Sequence, residues 1–379
     1  MPRTELAVWL ALVVALVGLL QTGTPPRVAV LSLIVVAITL AISLRWRVAG
    51  SAVVVLLLVG MALRMAPASG FSDVLVVTEA AIREMLAGGN PYGHGYAESL
   101  PPGAPFAYGP LALLWYLPSL DEPQRLELLA AMVVLILLAV RGRPLGLAVY
   151  AVTPAFVVSS TDGANDTTAG LLILAALLVA VRAPLAGAVL LAVAVAFKPY
   201  ALAWLPGLIA YAGAIGPLLA FLAASAVLWL PAVLAWGPGS LLWSFREADG
   251  LHARPYYSLA YGIDAPAEVP KGAWNVFRIV VGLLLAVLSL VWVRSATSLV
   301  IAGTLVFAAV LFLGWWGTFA YLAAVAPVLC WHLDDWLGLG GQRVIWPTDP
   351  VRAVTSAVDS RWPVLRPGGG VIEAQRRFG

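Results

Sequence analysis

Pro217 to Leu234 reads PLLAFLAASAVLWLPAVL, eighteen residues without a charge. A run of that length can cross the hydrocarbon core of a bilayer as a helix. It lacks the polar and apolar alternation of a barrel strand, and a backbone in hydrocarbon must satisfy its own hydrogen bonds. Similar runs lie at Leu6 to Leu20, Val28 to Leu44, Gly50 to Ala66, Leu126 to Val140, Leu145 to Ser159, Thr168 to Val181 and Pro184 to Phe197. Tyr200 to Ala212, Val276 to Val293, Ala296 to Leu313 and Trp316 to Trp331 complete the set. The pattern predicts an all-α polytopic membrane protein of about twelve transmembrane helices, some of them short enough to penetrate only partway.

Composition agrees with that reading. The 379 residues are 62% hydrophobic and 11% charged, against about 45–50% and about 25% in an average soluble domain. A net charge of +3, dispersed along the chain, excludes a nucleic-acid footprint. The lone Cys330 can build neither a disulfide framework nor a thiolate metal cage. Leu6 to Leu20 follows Arg3 as a signal peptide would, but Gln21 to Pro26 offers no small-residue cleavage site, so it reads as a retained first helix.

Orientation comes from basic residues in short loops. Arg45 and Arg47, Arg141 and Arg143, Arg182 and Arg294 fall on one side, which is therefore cytoplasmic. The chain divides into a transmembrane part, 1–332, and a cytoplasmic tail, 333–379, whose charges are scattered among Pro and Gly. Two long polar segments, 67–125 and 236–275, then face outward. The first opens at Gly70-Phe-Ser-Asp-Val74 and continues through an apolar-rich stretch to Met85-Leu86, with Glu79 and Arg83 at i,i+4, and stops at Gly88-Gly89, as suits an interfacial helix. Phe106 to Pro118 is a second short apolar piece that lies flat or dips in.

Three stretches carry a family resemblance. Asp73 following a membrane helix, then Gly88-Gly-Asn-Pro-Tyr92, then Pro105-Phe-Ala-Tyr-Gly-Pro110, resemble the first outer loop of GT-C glycosyltransferases. Ser160-Thr-Asp-Gly-Ala-Asn-Asp166 and the small-residue helix ending at Phe197-Lys198-Pro199 resemble that family's polar loop and Lys-Pro helix end. The similarity spans about Gly70 to Pro206 and is nearest to bacterial mannosyltransferases of the glycosyltransferase 87 type, which use polyprenyl-phosphate mannose. It implies a GT-C-like bundle in the bacterial plasma membrane with its active site on the extracytoplasmic face. It also implies a lipid-linked donor, mannose as the hexose, and a glycolipid, polysaccharide or protein as acceptor.

Each residue has a chemical reading and a plainer one. Transfer from a lipid phosphate needs a base for the acceptor hydroxyl, and a phosphate leaving group needs little protonation, so one carboxylate can suffice. Asp73 is the candidate base; alternatively, Ser72 or Asp73 merely caps the helix that follows. Lys198 can donate to the carrier phosphate or snorkel to the headgroups. Arg254 and His252, within Leu251-His-Ala-Arg-Pro-Tyr-Tyr257, can bind phosphate, with Tyr256 and Tyr257 beside them, or anchor the membrane interface. His94 is a weaker candidate, and His332 lies at the other face. Asp162, Asn165 and Asp166 can orient sugar hydroxyls, although capping by Asn165 or Asp166 is the simpler single-residue account. Asn90, Tyr92 and Tyr108 are candidate substrate contacts, while Trp115 and Tyr116 suit either the carrier or the aromatic belt. No cofactor is expected, and a divalent metal is not indicated, because the carboxylates have no His at ligand spacing. A secondary transporter or a lipid flippase with an outward-facing polar vestibule is the alternative.

Overall fold

The computed structural model describes residues 49–65, 72–100, 102–263 and 269–336. The expected helices at Leu6 to Leu20 and Val28 to Leu44, the basic pair Arg45 and Arg47, and the tail beyond Trp336 lie outside the described residues. The described part is mostly helical. Its one small sheet is a two-residue antiparallel pair, β1 (Gly95–Tyr96) on β2 (Ala104–Pro105).

The helices are α1 (Ala49–Met65), α2 (Val74–Leu86), α3 (Pro110–Tyr116), α4 (Gln124–Val140), α5 (Pro144–Val152), α6 (Pro154–Ser159), α7 (Asp166–Ala180) and α8 (Pro184–Phe197). They continue with α9 (Leu205–Ala212), α10 (Gly216–Trp236), α11 (Pro238–Gly250), α12 (Leu259–Gly262), α13 (Lys271–Trp292), α14 (Ala296–Phe312) and α15 (Ala320–Trp336). Two of them, α10 and α13, are long and apolar enough to cross a membrane. Both leave most of their apolar surface open, with Leu234 76% and Val291 68% exposed. A third span arises if α3 and its 3₁₀ extension are counted with α4, to which they are bent by 99°. The remaining apolar helices are shorter.

Small residues let the inner helices approach closely. A methyl group on Gly170 of α7 would lie 2.8 Å from the Ala323 and Ala324 carbonyl oxygens of α15. One on Gly60 of α1 would lie 2.9 Å from the Ala151 side chain of α5.

Three boundaries differ from the sequence reading, each for a local reason. Leu145 to Ser159 is not one helix: Pro154 forces Thr153 into an extended conformation and separates α5 from α6. The carbonyls freed at the end of α5 are taken by buried Arg64 of α1, which donates to Tyr150 O at 2.8 Å and Ala151 O at 3.0 Å. Tyr200 to Ala212 is a 3₁₀ turn over Pro199–Trp204 followed by the short α9. The last helix starts at Ala320 and runs past the predicted end of the membrane part to Trp336. Its Asp334 is fully buried and accepts from the Leu145 and Gly146 amides at the start of α5.

Candidate active site

A cavity of about 580 Å³ opens where the starts of α2 and α7, the end of α8, the end of α11, the first half of α13 and the loop between α14 and α15 converge. One group of lining residues is Asp73, Tyr108, Asp162, Asp166, Lys198 and Tyr200.

Asp73 occupies the N-cap position of α2, yet its side chain makes no capping bond. The start of α2 is served by its neighbours instead: Leu75 N donates to Gly163 O at 2.9 Å and Val74 N to Ser72 Oγ at 3.4 Å, while Ser72 N, just before the helix, donates to Asp162 O at 2.7 Å. Gly163 adopts φ +97°, a left-handed conformation that a side chain would strain. The Asp73 carboxylate instead accepts a long bond from Leu100 N, 3.3 Å, and faces the cavity half-buried. Burial pushes this carboxyl above its ordinary range, opposed by the Leu100 bond. Asp162, buried in the turn, is pushed up to about 6, chiefly by desolvation, with a further contribution from the nearby charge of Asp166.

The capping account of Asn165 and Asp166 also gives way. Asn165 is the N-cap of α7 but makes no side-chain cap bond. Its Oδ1 accepts from Lys198 Nζ, which also donates to Asp166 Oδ1 at 2.8 Å. Tyr200 Oη donates to the same Asp166 oxygen at 2.7 Å. Lys198 sits just after α8 in an extended conformation that Pro199 imposes, and this turns its side chain inward. Only 5% exposed, it lies 5.1 to 5.9 Å from the ring centres of Tyr200, Tyr108 and Tyr321. The snorkelling account is thereby excluded.

The second group comprises Phe245, Leu251, His252, Tyr256, Arg278, Trp316 and Phe319, among others. The His252 ring lies flat on Trp316 with centroids 3.6 Å apart. Three bonds knit the 252–258 loop to the 315–317 loop: Trp315 Nε1 to His252 O, 3.1 Å; Gly317 N to Tyr256 O, 2.8 Å; and Ser258 Oγ to Trp315 O, 2.8 Å. Arg278 crosses Gly314, where a methyl group would lie 2.4 Å from its Cδ.

Several predicted residues stand elsewhere. Arg254 is exposed and does not line the cavity; the guanidinium that does is Arg278. Tyr257 is exposed, packs edge-on to Tyr256 and Phe319, and is the only described non-glycine residue with positive φ, 42°. Asn90 ties its loop to α10 and α11, donating to Trp236 O and Ser240 Oγ while accepting from Tyr92 N. Tyr92 is fully buried, with its hydroxyl on Tyr108 O at 3.1 Å. Both support the cavity wall from behind. His94 packs on Tyr96, His332 stacks on Trp336, and Tyr116 is buried inside the bundle, all away from the cavity. Sequence reasoning missed Arg278, Tyr200, Trp316 and Tyr321. Arg278 had a legible signal, a charge inside an apolar span, which is costly enough to mark a site. Among the described residues, no group of three or more His, Cys, Asp and Glu side chains is placed to hold a metal.

Comparison with family models, with curated proteins and with solved structures gives no match for this chain.

Proposed function

We propose that this chain is a polytopic membrane glycosyltransferase of GT-C-like architecture, with the short Arg-containing loops cytoplasmic and the cavity extracytoplasmic. It transfers one hexose, mannose by the sequence resemblance, from a polyprenyl-phosphate donor. The observation that carries the reading is one cavity holding a half-buried carboxylate without a capping duty, Asp73, together with the cations Lys198 and Arg278. The open apolar faces of α10 and α13 support placement in a bilayer, since water-exposed patches of that kind are rare on soluble monomers.

In this mechanism the acceptor hydroxyl gives its proton to Asp73 as its oxygen bonds to the anomeric carbon. The bond from that carbon to the phosphate oxygen breaks, and its electron pair leaves with the lipid phosphate. A single displacement inverts the carbon. Arg278 is an anion ligand together with Lys198, two of whose protons go to Asn165 and Asp166. The remaining Lys198 proton and the His252 ring complete the anion side. Tyr108, Tyr256 and Trp316 offer apolar faces to the sugar.

Purified chain supplied with radiolabelled polyprenyl-phosphate hexoses and a crude envelope acceptor tests the reading. Labelled glycan and free polyprenyl phosphate are expected in equal amounts. Donor binding without any transfer, or donor movement across proteoliposomes without cleavage, would replace it with the flippase or transporter alternative.

A further inference from the structure

Glu127 is a carboxylate in an apolar helix that no step above uses. It sits in the first turn of α4, where its neighbours Gln124 and Arg125 are exposed, and is itself 1% exposed. Burying an ionised carboxylate costs several kcal/mol unless its oxygens are engaged. Both are. Tyr116 Oη of α3 donates to Oε1 at 2.5 Å, and Thr168 N of α7 donates to Oε2 at 3.0 Å.

The second bond explains how α7 begins without a cap of its own. Asn165 and Asp166, the residues that would normally serve, have turned to Lys198. The third amide of α7 is capped instead by Glu127, and a carboxylate there also meets the positive end of the helix dipole. The first turn of α7 is thus held on one side by Glu127 and holds Lys198 on the other. A second route runs through Tyr116, whose ring packs at 5.9 Å on Phe197, the residue before Lys198. Helix α3 is in turn pressed against the end of α8: Gly109 N donates to Phe197 O, and a methyl group on Gly109 would lie 1.9 Å from Ala196 O.

We infer that Glu127, with Tyr116, is a positioning residue that fixes the Lys198 ammonium in the cavity from behind, touching neither the cavity nor a ligand. That this ammonium serves phosphate binding rests on the proposed transfer reaction; its placement does not. The experiment therefore reads Lys198 directly. Full-length chain in detergent is carbamylated with cyanate at fixed pH, and the rate at Lys198 is followed by peptide mass spectrometry, alongside melting temperature. Glu127→Gln and Tyr116→Phe are each expected to speed modification by about fivefold, the factor matching roughly 1 kcal/mol of lost hydrogen bonding. Arg125→Gln, on the outward side of the same turn, should leave the rate unchanged. Tyr116→Phe removes only one hydroxyl, so it keeps the inference open to refutation if Glu127→Gln fails to fold. Wild-type Lys198 rates in the folded variants would overturn it, whether or not the wild-type chain transfers sugar. With transfer established, Glu127→Gln should raise donor KM more than it lowers kcat.

Discussion

Replacement of Asp73 by Asn separates chemistry from architecture. Leu75 N of α2 is held by the Gly163 carbonyl and Val74 N by Ser72 Oγ, and among the described residues the Asp73 side chain accepts one bond from another residue, the 3.3 Å contact from Leu100 N. Asn keeps an acceptor for that contact, so the expected stability cost is below about 1 kcal/mol. The electrostatic contribution favours the variant at neutral pH. Burial raises the folded-state pKa of Asp73 above its unfolded value. Its stabilising contribution is therefore present below the unfolded value and lost as pH rises through the folded one. Asn carries no such dependence. Turnover should behave differently, because an amide cannot accept the acceptor's proton. Loss of a general base costs on the order of 10²- to 10⁴-fold, or about 3 to 5 kcal/mol of barrier. The assay is single-turnover transfer from a labelled donor at saturating acceptor, with donor affinity and melting temperature measured on the same preparation. Wild-type rates should rise with pH through the raised carboxyl pKa, and the residual Asn rate should be flat. Wild-type turnover in Asp73→Asn with intact folding would refute the assignment of the base.

Three further outcomes follow from the same geometry. Lys198→Met leaves Asp166 buried beside only a tyrosine hydroxyl, so it should destabilise the fold by about 3 to 5 kcal/mol, and adding Asp166→Asn should recover much of that; additive losses in melting experiments would refute the coupling. Asp162 is pushed up from 3.8 to about 6, so its contribution to stability is fully present below about 3.8 and lost as pH rises through about 6. Asp162→Asn should therefore gain at most about 3 kcal/mol relative to wild type between pH 4 and pH 7, and parallel melting curves across that range would contradict it. Arg278→Gln should weaken donor use by about 2 to 4 kcal/mol while Arg254→Ala changes donor KM less than about twofold; the reverse order would move the anion ligand back to the outer loop.

The sequence made the helical segments legible because apolar runs have few other uses. It could not give the breaks, since Thr153 and Lys198 leave the helix through their following prolines in ways that need tertiary partners such as Arg64 and Asp166. Candidate polar residues near a helix start were also legible, but their roles were not. Asn165 and Asp166 carry the side chains of ordinary caps, and a carboxylate 41 positions before Thr168, Glu127, caps that residue's amide and frees them from that duty. Arg254 and Arg278 show the same limit. Both are basic residues near aromatics in sequence, and the fold brings only the one inside an apolar run to the cavity.

The charges in the cavity are sorted by the elements that supply them, and that sorting bears on which substrate goes where. The starts of α2 and α7 contribute three carboxylates, Asp73, Asp162 and Asp166, against the single ammonium of Lys198. Helix α13 contributes the Arg278 guanidinium, and the 252–258 loop contributes His252, flat on Trp316. A lipid phosphate placed among the carboxylates meets like charge in a poorly solvated space, where Coulomb terms are several-fold larger than in water. The same phosphate beside Arg278 meets its complement. A neutral acceptor hydroxyl has the opposite preference, since carboxylates accept its proton and orient it. In the proposed reaction the donor phosphate therefore goes to Arg278 and the acceptor hydroxyl to Asp73, while Lys198 stays tethered to Asp166 and Asn165.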